Sequence, residues 1–231
     1  VVRSMELQYA NNFAVDYCAN GCKIITDGAG QKFLWVPEGG EAPDDTGDMT
    51  VLQAPLTKLG CFSTTHATLF HAIGALDKVS LVTTDKDKWH IEQVAQQIED
   101  GTTTYVGKNS APDYELISAA APQIILISAN TMHGSDEVLA KLDELGIPYI
   151  ADSQHLENHP LGRVEWVKLV GALLDMEEEA DAYFDEEVQR VNAVAESVAG
   201  ESEHPTILQT YIFKGTVYVR NGGDYVNKML E

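Results

Sequence analysis

Between residues 56 and 152, short apolar segments alternate with segments that carry helical periodicity. The apolar segments, each of which predicts a buried strand, are LTKLGCFST (56–64), VSLVTT (79–84), QIILIS (123–128) and IPYIAD (147–152). The intervening helices are predicted over 64–77, 89–101, 112–121 and 135–146, with Pro112 near the first turn of the third. This alternation predicts an α/β fold with a mostly parallel open sheet and helices on both faces.

The segment before this alternation has a different period. Residues 5–37 alternate apolar and polar positions, with turn signals at Asn20-Gly21 and Asp27-Gly28. This pattern predicts a small antiparallel β meander. A polar connection rich in Gly, Pro and Asp follows over 39–48.

The segment after the alternation is first helical and then returns to strands. Pro160 opens one predicted helix, and Asp175 caps a long helix over 176–198. Strands are predicted over 206–213 and 216–220, followed by the start of a helix. A strand pair and one helical turn cannot bury their own apolar faces. We therefore expect the native chain to continue past Glu231.

The charge balance excludes some classes of partner. Fifteen Lys and Arg against 36 Asp and Glu leave a net charge of −21, which repels phosphate backbones and anionic lipid. We expect no nucleic-acid partner and a monomeric protein.

No apolar run approaches the roughly 20 residues of a membrane span. The three cysteines, Cys18, Cys22 and Cys61, predict free thiols, with a local disulfide as the alternative outside the cytoplasm.

No catalytic motif appears, but polar residues follow the predicted strands. They lie in Ser63–His66, in Thr83–Thr84 with Trp89 and His90 close behind, in Asn130–His133 and in Asp152–His155. Ligands of open α/β sheets bind outside the carboxyl ends of the strands. Each cluster alone is also explained by helix capping or a surface histidine. Imidazole and thioether groups are suitable donors for iron or cobalt, including haem iron.

Several segments resemble one family, the substrate-binding proteins of ABC importers for iron-siderophores, haem and cobalamin. The resemblance covers about residues 55–231, and the segments that carry it are PLGRVEWVKLVGALLDMEEEADAYFDEEVQ (160–189), TYVGKNSAPDYELISAAAPQIILIS (104–128), LAKLDELGIPYI (139–150) and GGDYVNKML (222–230). The family has two α/β lobes that are joined by one long helix, and the ligand lies between the lobes. The implied division is a meander with its connection (1–54), a first lobe (55–159), a helical connector (160–200) and the incomplete start of a second lobe (201–231).

The resemblance also implies roles for particular residues. Candidate ligand contacts in the first lobe are Thr65, His66, Trp89, His90, Met132 and His133, and those in the second are Tyr211 and Lys214. Met132 or His133 is a candidate axial donor to haem iron. Glu115 matches the family's glutamate that pairs with arginines of the membrane permease. Arg163 and Glu165 are interpreted as structural, with Arg163 as a bidentate clamp on a ligand carboxylate in the alternative.

The function implied is an extracytoplasmic receptor, either periplasmic or a cell-surface lipoprotein, that delivers a ferric siderophore, haem or cobalamin to ABC permease subunits. No cofactor of its own is expected. The alternative is a metal-dependent enzyme on a similar open sheet. Saturable binding without turnover distinguishes the receptor from the enzyme.

Overall fold

The first 53 residues form a five-stranded sheet in the computed structural model, which describes residues 1–128, 135–200, 206–220 and 224–230. Its strands are β1 (Arg3–Ser4), β2 (Ala14–Tyr17), β3 (Lys23–Thr26), β4 (Lys32–Val36) and β5 (Thr50–Gln53). Strands β1 to β4 pair antiparallel in chain order, as predicted for the meander. Strand β5 instead runs parallel to β4. The polar connection over 39–48 therefore returns the chain to the other end of the sheet.

The alternating segments form a second five-stranded sheet. Its strands are β6 (Leu59–Cys61), β7 (Val79–Val82), β8 (Thr104–Tyr105), β11 (Ile124–Ser128) and β12 (Tyr149–Asp152), and the short antiparallel pair β9 (Gly107–Lys108) and β10 (Ala111–Pro112) lies outside it. The order is β12-β11-β6-β7-β8, and every neighbouring pair is parallel. The predicted fold class is confirmed.

Helices cover both faces of this parallel sheet. The first four are α1 (Thr64–Ala72), α2 (Glu92–Glu99), α3 (Tyr114–Ala120) and α4 (Ser135–Glu144). The third helix starts two residues later than predicted, because Pro112 ends β10 and lies just before the first turn of α3. Asp113 caps α3 instead, and its carboxylate accepts the N–H groups of Glu115 and Leu116.

The residues of β11 show how the two faces differ. Ile124 and Leu126 pack in a large cluster with α1, α6 and the meander, whereas Ile125 and Ile127 pack with α3 and α4. This alternation follows from the two-residue period of a strand. Gly60 allows close packing at the centre of the sheet, because a Cβ there would lie 2.7 Å from Leu81 Cδ1 and 2.9 Å from Ile125 Cγ1.

The meander and the parallel sheet share one hydrophobic core. The buried cluster that contains the helices after β12 also contains five residues of the N-terminal region: Phe13, Val15, Ile25, Phe33 and Trp35.

In this structure all three cysteines are thiols; Cys22 and Cys61 are buried, and burial raises the pKa of both.

Three helices follow the parallel sheet: α5 (Pro160–Glu165), α6 (Val167–Leu174) and α7 (Glu177–Val198). The long helix predicted over 176–198 agrees with α7. Asp175 does not cap it, however. Asp175 ends α6 with φ 58°, and its carboxylate lies 2.9 Å from Lys23 Nζ. Buried Lys23 also contacts Glu177 at 2.6 Å, so this cation links β3 to the α6–α7 turn.

Three buried carboxylates, Asp27, Glu157 and Glu165, join the meander to the rest of the molecule; we call them the carboxylate seam. Glu165 accepts the backbone N–H groups of Gln8, Tyr9 and Ala10, each at 2.8 Å. This contact confirms that Glu165 is structural.

The other two seam residues act in the same way. Glu157 accepts the N–H groups of Asn11 and Asn12 at 3.1 Å. Asp27, from the turn after β3, accepts the N–H of Ala151 in β12 at 2.8 Å. Each seam carboxylate therefore binds backbone N–H groups from the opposite side of the junction.

The last described elements form a hairpin and a short helix. Strands β13 (Thr210–Phe213) and β14 (Thr216–Val219) pair antiparallel across the predicted Lys214-Gly215 turn, and α8 (Tyr225–Lys228) follows. All eight strand residues are exposed. Of the described helices, none has the length and apolar character needed to span a membrane.

Candidate functional site

The carboxyl ends of β6, β7, β11 and β12 lie along one edge of the parallel sheet, and the predicted first-lobe contacts follow these strands. Thr65 is exposed in the first turn of α1, where its N–H lies 3.3 Å from the capping Ser63 Oγ. Trp89 is half-buried and its Nε1 donates to the carbonyl of Thr84 at 3.0 Å. His90 beside it is exposed. Thr65, Trp89 and His90 are therefore accessible side chains near this edge.

His66 is placed differently from its neighbours. Its side chain is fully buried at the same edge, with Nε2 3.3 Å from Ser128 Oγ and 3.7 Å from Asp152 Oδ2. A ligand would reach this imidazole only after neighbouring groups moved. His66 is thus better placed to support the edge than to line it.

Burial controls the ionisation of His66. Desolvation lowers its pKa, and this effect outweighs the opposing influence of the Asp152 carboxylate. Nδ1 of His66 is buried and has no hydrogen-bond partner among the described residues. The neutral imidazole is therefore the form that the fold stabilises.

The remaining ligand candidates divide into two groups. Met132 and His133 lie outside the described residues, so the predicted axial donor to haem iron stays a prediction. Tyr211 and Lys214 lie on the exposed hairpin, where the Tyr211 ring stacks on Tyr218 at 4.8 Å and Lys214 adopts φ 48°. The structure places them in a sheet separate from that of Thr65 and Trp89.

Glu115 lies in the first turn of α3 with its side chain exposed. An exposed carboxylate at a helix N-terminus is stabilised by the helix dipole and is free to meet a cation of another protein. The position suits the predicted docking role, which stays a prediction.

The sequence pattern does not predict that Arg163 and Arg220 lie near each other, but the structure places both near one tyrosine. The guanidinium carbon of Arg163, on α5, lies 4.2 Å from the ring centroid of Tyr225 on α8. That of Arg220, after β14, lies 5.9 Å from the same centroid. Arg220 also forms an ion pair with Asp224 at 2.8 Å. Only a tertiary contact between α5 and α8 brings these residues together, because they lie more than 50 residues apart.

No set of three or more His, Cys, Asp or Glu side chains within the described ranges could hold a metal ion. The accessible groups are instead hydroxyl, imidazole and indole groups at the sheet edge and guanidinium groups at the α5–α8 junction. These groups suit recognition of a solute by hydrogen bonds, ring contacts and charge.

Comparison with known proteins identifies the class. A model of the periplasmic binding protein family matches residues 61–231, and the chain belongs to that family. An uncharacterized lipoprotein of Methanocaldococcus jannaschii is 34% identical over 175 residues, which are 71% of this chain and 41% of that protein. The chain thus spans less than half the length of this relative.

Solved structures share the fold. A possible iron-binding periplasmic solute-binding protein from Staphylococcus epidermidis has a TM-score of 0.61 at 18% identity, over 75% of this chain and 64% of that one. The IsdE protein of Staphylococcus aureus, solved with heme, has a TM-score of 0.56 at 14% identity, over 75% and 62%. At these identities the matches establish the fold alone.

The family membership confirms the resemblance seen in the sequence. It identifies a binding protein and not an enzyme, so the metal-enzyme alternative is set aside. It also confirms the predicted extracytoplasmic location.

Proposed function

We propose that this chain is the ligand-capturing part of a receptor that binds an iron chelate, either a ferric siderophore or haem, and delivers it to an ABC permease. The family match over residues 61–231 carries the proposal. Similarity to a possible iron-binding protein and to a haem-bound protein supports iron chelates as the cargo. Similarity to a lipoprotein supports anchoring at the cell surface. A corrinoid such as cobalamin is the other ligand to test.

The carboxyl edge of the parallel sheet supports the proposed ligand position. Trp89 offers an apolar ring, and the exposed Thr65 and His90 offer hydrogen-bonding groups that follow strands of the same edge. A large, flat or polyoxygenated chelate would be recognised by such a combination, since binding sites pair apolar walls with a few polar groups. Buried His66 and Asp152 and half-buried Ser128 also lie at this edge.

Tryptophan fluorescence tests the proposal directly. The chain has three tryptophans, of which Trp35 and Trp166 are buried and Trp89 is half-buried. We expect haem or a ferric siderophore to quench the tryptophan emission saturably. Trp89→Phe should remove most of this quenching, because Trp89 is the tryptophan that we expect to contact the ligand. Flat titrations with haem, ferric siderophores and cobalamin would contradict the proposal.

Permease docking requires its own test, with transport as the readout. Glu115→Arg should abolish uptake of the bound chelate while its affinity for the protein stays within about twofold, because a rim charge mainly steers docking. The matched control is Glu92→Arg, since Glu92 is an exposed glutamate in the first turn of α2. Equal uptake by the two variants would remove Glu115 from the docking surface.

A further inference from the structure

Two of the three cysteines lie opposite each other across the turn between β2 and β3. Tyr17 ends β2 and pairs with Lys23, the first residue of β3. The next pair outward along the two strands is Cys18 and Cys22, and the backbone N–H of Cys18 donates to the carbonyl of Cys22 at 2.9 Å. These two cysteines therefore close the hairpin loop that residues 19–21 form.

The loop holds the backbones of both cysteines in place. Gly21 adopts φ 82°, and its N–H donates to the carbonyl of Cys18 at 3.1 Å. A hairpin loop of three residues with a left-handed glycine at its end is a common connection between antiparallel strands. On the other side of the loop, the N–H of Cys22 donates to Asn20 Oδ1 at 3.3 Å. The pairing of Cys18 with Cys22 is thus fixed by the turn itself.

The two thiols lie on the same face of the N-terminal sheet. Cys22 belongs to a small buried cluster with Leu34 and Val36, and Cys18 packs against this cluster. After the larger effect of burial, the nearby Cys18 thiol also raises the pKa of Cys22. Cys61 belongs to a different cluster, around the parallel sheet. The thiol that Cys22 can reach is therefore that of Cys18.

The spacing of this pair is that of a disulfide. Directly opposite, hydrogen-bonded residues of antiparallel strands have Cα atoms about 5.5 Å apart. Disulfides join residues whose Cα atoms are about 4.4–6.8 Å apart and whose Cβ atoms point to the same side. No rearrangement of the backbone is needed for a bond between Cys18 and Cys22.

Exposure and location complete the argument. The structure shows the reduced form, in which Cys18 is half-buried and Cys22 is only 2% exposed. A dissolved oxidant therefore reaches Cys18 first. The protein belongs to a family of extracytoplasmic proteins. Outside the cytoplasm, no glutathione or thioredoxin pool keeps a pair of thiols reduced.

We propose that Cys18 and Cys22 form a disulfide when a disulfide oxidant acts on the protein outside the cytoplasm. The Cys18 thiolate attacks one sulfur of the oxidant, forms a mixed disulfide and releases the other half as a thiolate. The Cys22 thiolate then attacks Cys18 Sγ and displaces the second half. The two cysteines are oxidised, the oxidant is reduced to two thiols, and the two cysteine protons pass through solvent to these thiols.

The disulfide would lock the end of the hairpin that holds the long helix. Tyr17 and Lys23, which flank the cysteines, both contact Glu177 at the start of α7: Lys23 Nζ lies 2.6 Å from its carboxylate and Tyr17 shares a side-chain hydrogen bond with it. A bond between the next two residues keeps this pair together. The inference is independent of the ligand that the receptor binds.

Peptide mapping tests the disulfide directly. The native protein is incubated with oxidised glutathione, alkylated in denaturant and digested with trypsin, which leaves Cys18 and Cys22 together in residues 4–23 and Cys61 in residues 59–78. We expect the first peptide to lose two hydrogen atoms and to take up no alkylating agent. Buried Cys61 is the internal control and should be alkylated fully.

Two variants test the order of attack. Cys22→Ala removes the second nucleophile, so one glutathione should remain on Cys18. Cys18→Ser removes the exposed thiol, and Cys22 should then stay unmodified in the native protein because it is buried. Closing a short loop restricts the unfolded chain, so the oxidised wild type should unfold at a temperature roughly 3–6 °C above that of the reduced form.

Each alternative result counts against a particular part of the inference. Two alkylated cysteines in residues 4–23 of the wild type, glutathione retained on Cys18, or a bond to Cys61 would overturn the disulfide. Glutathione on Cys22 in Cys18→Ser would overturn the order of attack. An unchanged unfolding temperature would overturn the locking of the hairpin. None of these results affects the proposed receptor function, which the ligand titrations test separately.

Discussion

The carboxylate seam and the carboxyl edge of the parallel sheet both bury charged or titratable groups, but they satisfy them differently. At the seam, Glu165 accepts three backbone N–H groups at 2.8 Å. At the edge, His66 Nδ1 is buried and has no hydrogen-bond partner among residues 1–128, 135–200, 206–220 and 224–230, and Nε2 lies 3.3 Å from Ser128 Oγ and 3.7 Å from Asp152 Oδ2. The seam carboxylates are paired with backbone N–H groups, whereas the described residues of the edge leave one nitrogen of His66 unpaired.

This difference indicates where the protein tolerates change. Removal of a carboxylate that accepts several backbone N–H groups leaves all of those N–H groups unsatisfied. An incompletely paired imidazole retains alternatives, because a shift of proton or side chain can change its contacts.

The largest predicted effect is at the seam. Glu165→Ala removes the acceptor of three backbone N–H groups and leaves Lys168 Nζ, 3.5 Å away, without this partner. We expect the free energy of unfolding to fall by about 3–5 kcal/mol, the cost of breaking a buried ionic contact. Urea denaturation measures this change.

Two variants provide the controls for Glu165. Glu165→Gln keeps one acceptor oxygen and should lose less than the alanine variant. Glu178→Ala, at an exposed position in the first turn of α7, should stay within about 0.5 kcal/mol of the wild type. A loss below 1 kcal/mol for Glu165→Ala would show that the seam is not saturated in the way described.

A smaller effect is expected at Gly28, which follows the seam residue Asp27 and packs against Ala151 of β12. A Cβ on Gly28 would lie 2.8 Å from the carbonyl oxygen of Ala151 and 2.4 Å from Ser153 Cβ. Because the backbone carbonyl cannot move freely, we expect Gly28→Ala to cost about 1–3 kcal/mol, as overpacking does. Gly200→Ala, where nothing lies within 4 Å, is the matched control. Equal stability of the two variants would contradict this account of Gly28.

The sequence predicted the parallel sheet well, because strand and helix periods are local. Residues 79–84 and 123–128 each contain a strand of the structure, at Val79–Val82 and Ile124–Ser128. It also predicted the long helix, since the Glu-rich start at 177–179 favours a helix N-terminus.

The sequence did not predict the features that depend on tertiary contacts. The parallel pairing of β5 with β4 and the buried partners of Glu165 depend on contacts between distant segments. Asp175 was assigned as a cap because Asp is common there, but its left-handed backbone and its contact with Lys23 are set by the tertiary fold. The burial of His66 was missed for the same reason, since its sequence neighbours Thr64 and Thr65 are exposed.

The smallest predicted effect concerns the pH dependence of stability at the edge. Burial lowers the folded-state pKa of His66, and the unfolded-state pKa is about 6.5. Above pH 6.5 the imidazole is neutral in both the folded and the unfolded state, so it makes no pH-dependent contribution to the free energy of unfolding. As the pH falls below 6.5, only the unfolded chain gains the proton, so stability should decrease by up to about 1.4 kcal/mol per pH unit until the folded-state pKa is reached.

Comparison of His66→Gln with the wild type isolates this term, because His159 also has a pKa lowered by burial and remains in both proteins. The groups that act on the pKa of His66 besides burial are the Asp152 carboxylate and the Leu126 backbone, which oppose the effect of burial, and His155, which adds to it; Ser128 Oγ also lies 3.3 Å from Nε2. Unfolding free energies between pH 7.5 and 5 should therefore fall less steeply in the variant, whereas His90→Gln, at an exposed position, should follow the wild type. If acidification instead stabilised the wild type relative to His66→Gln, attraction to Asp152 would outweigh burial, and the imidazolium would be the form that holds the edge together.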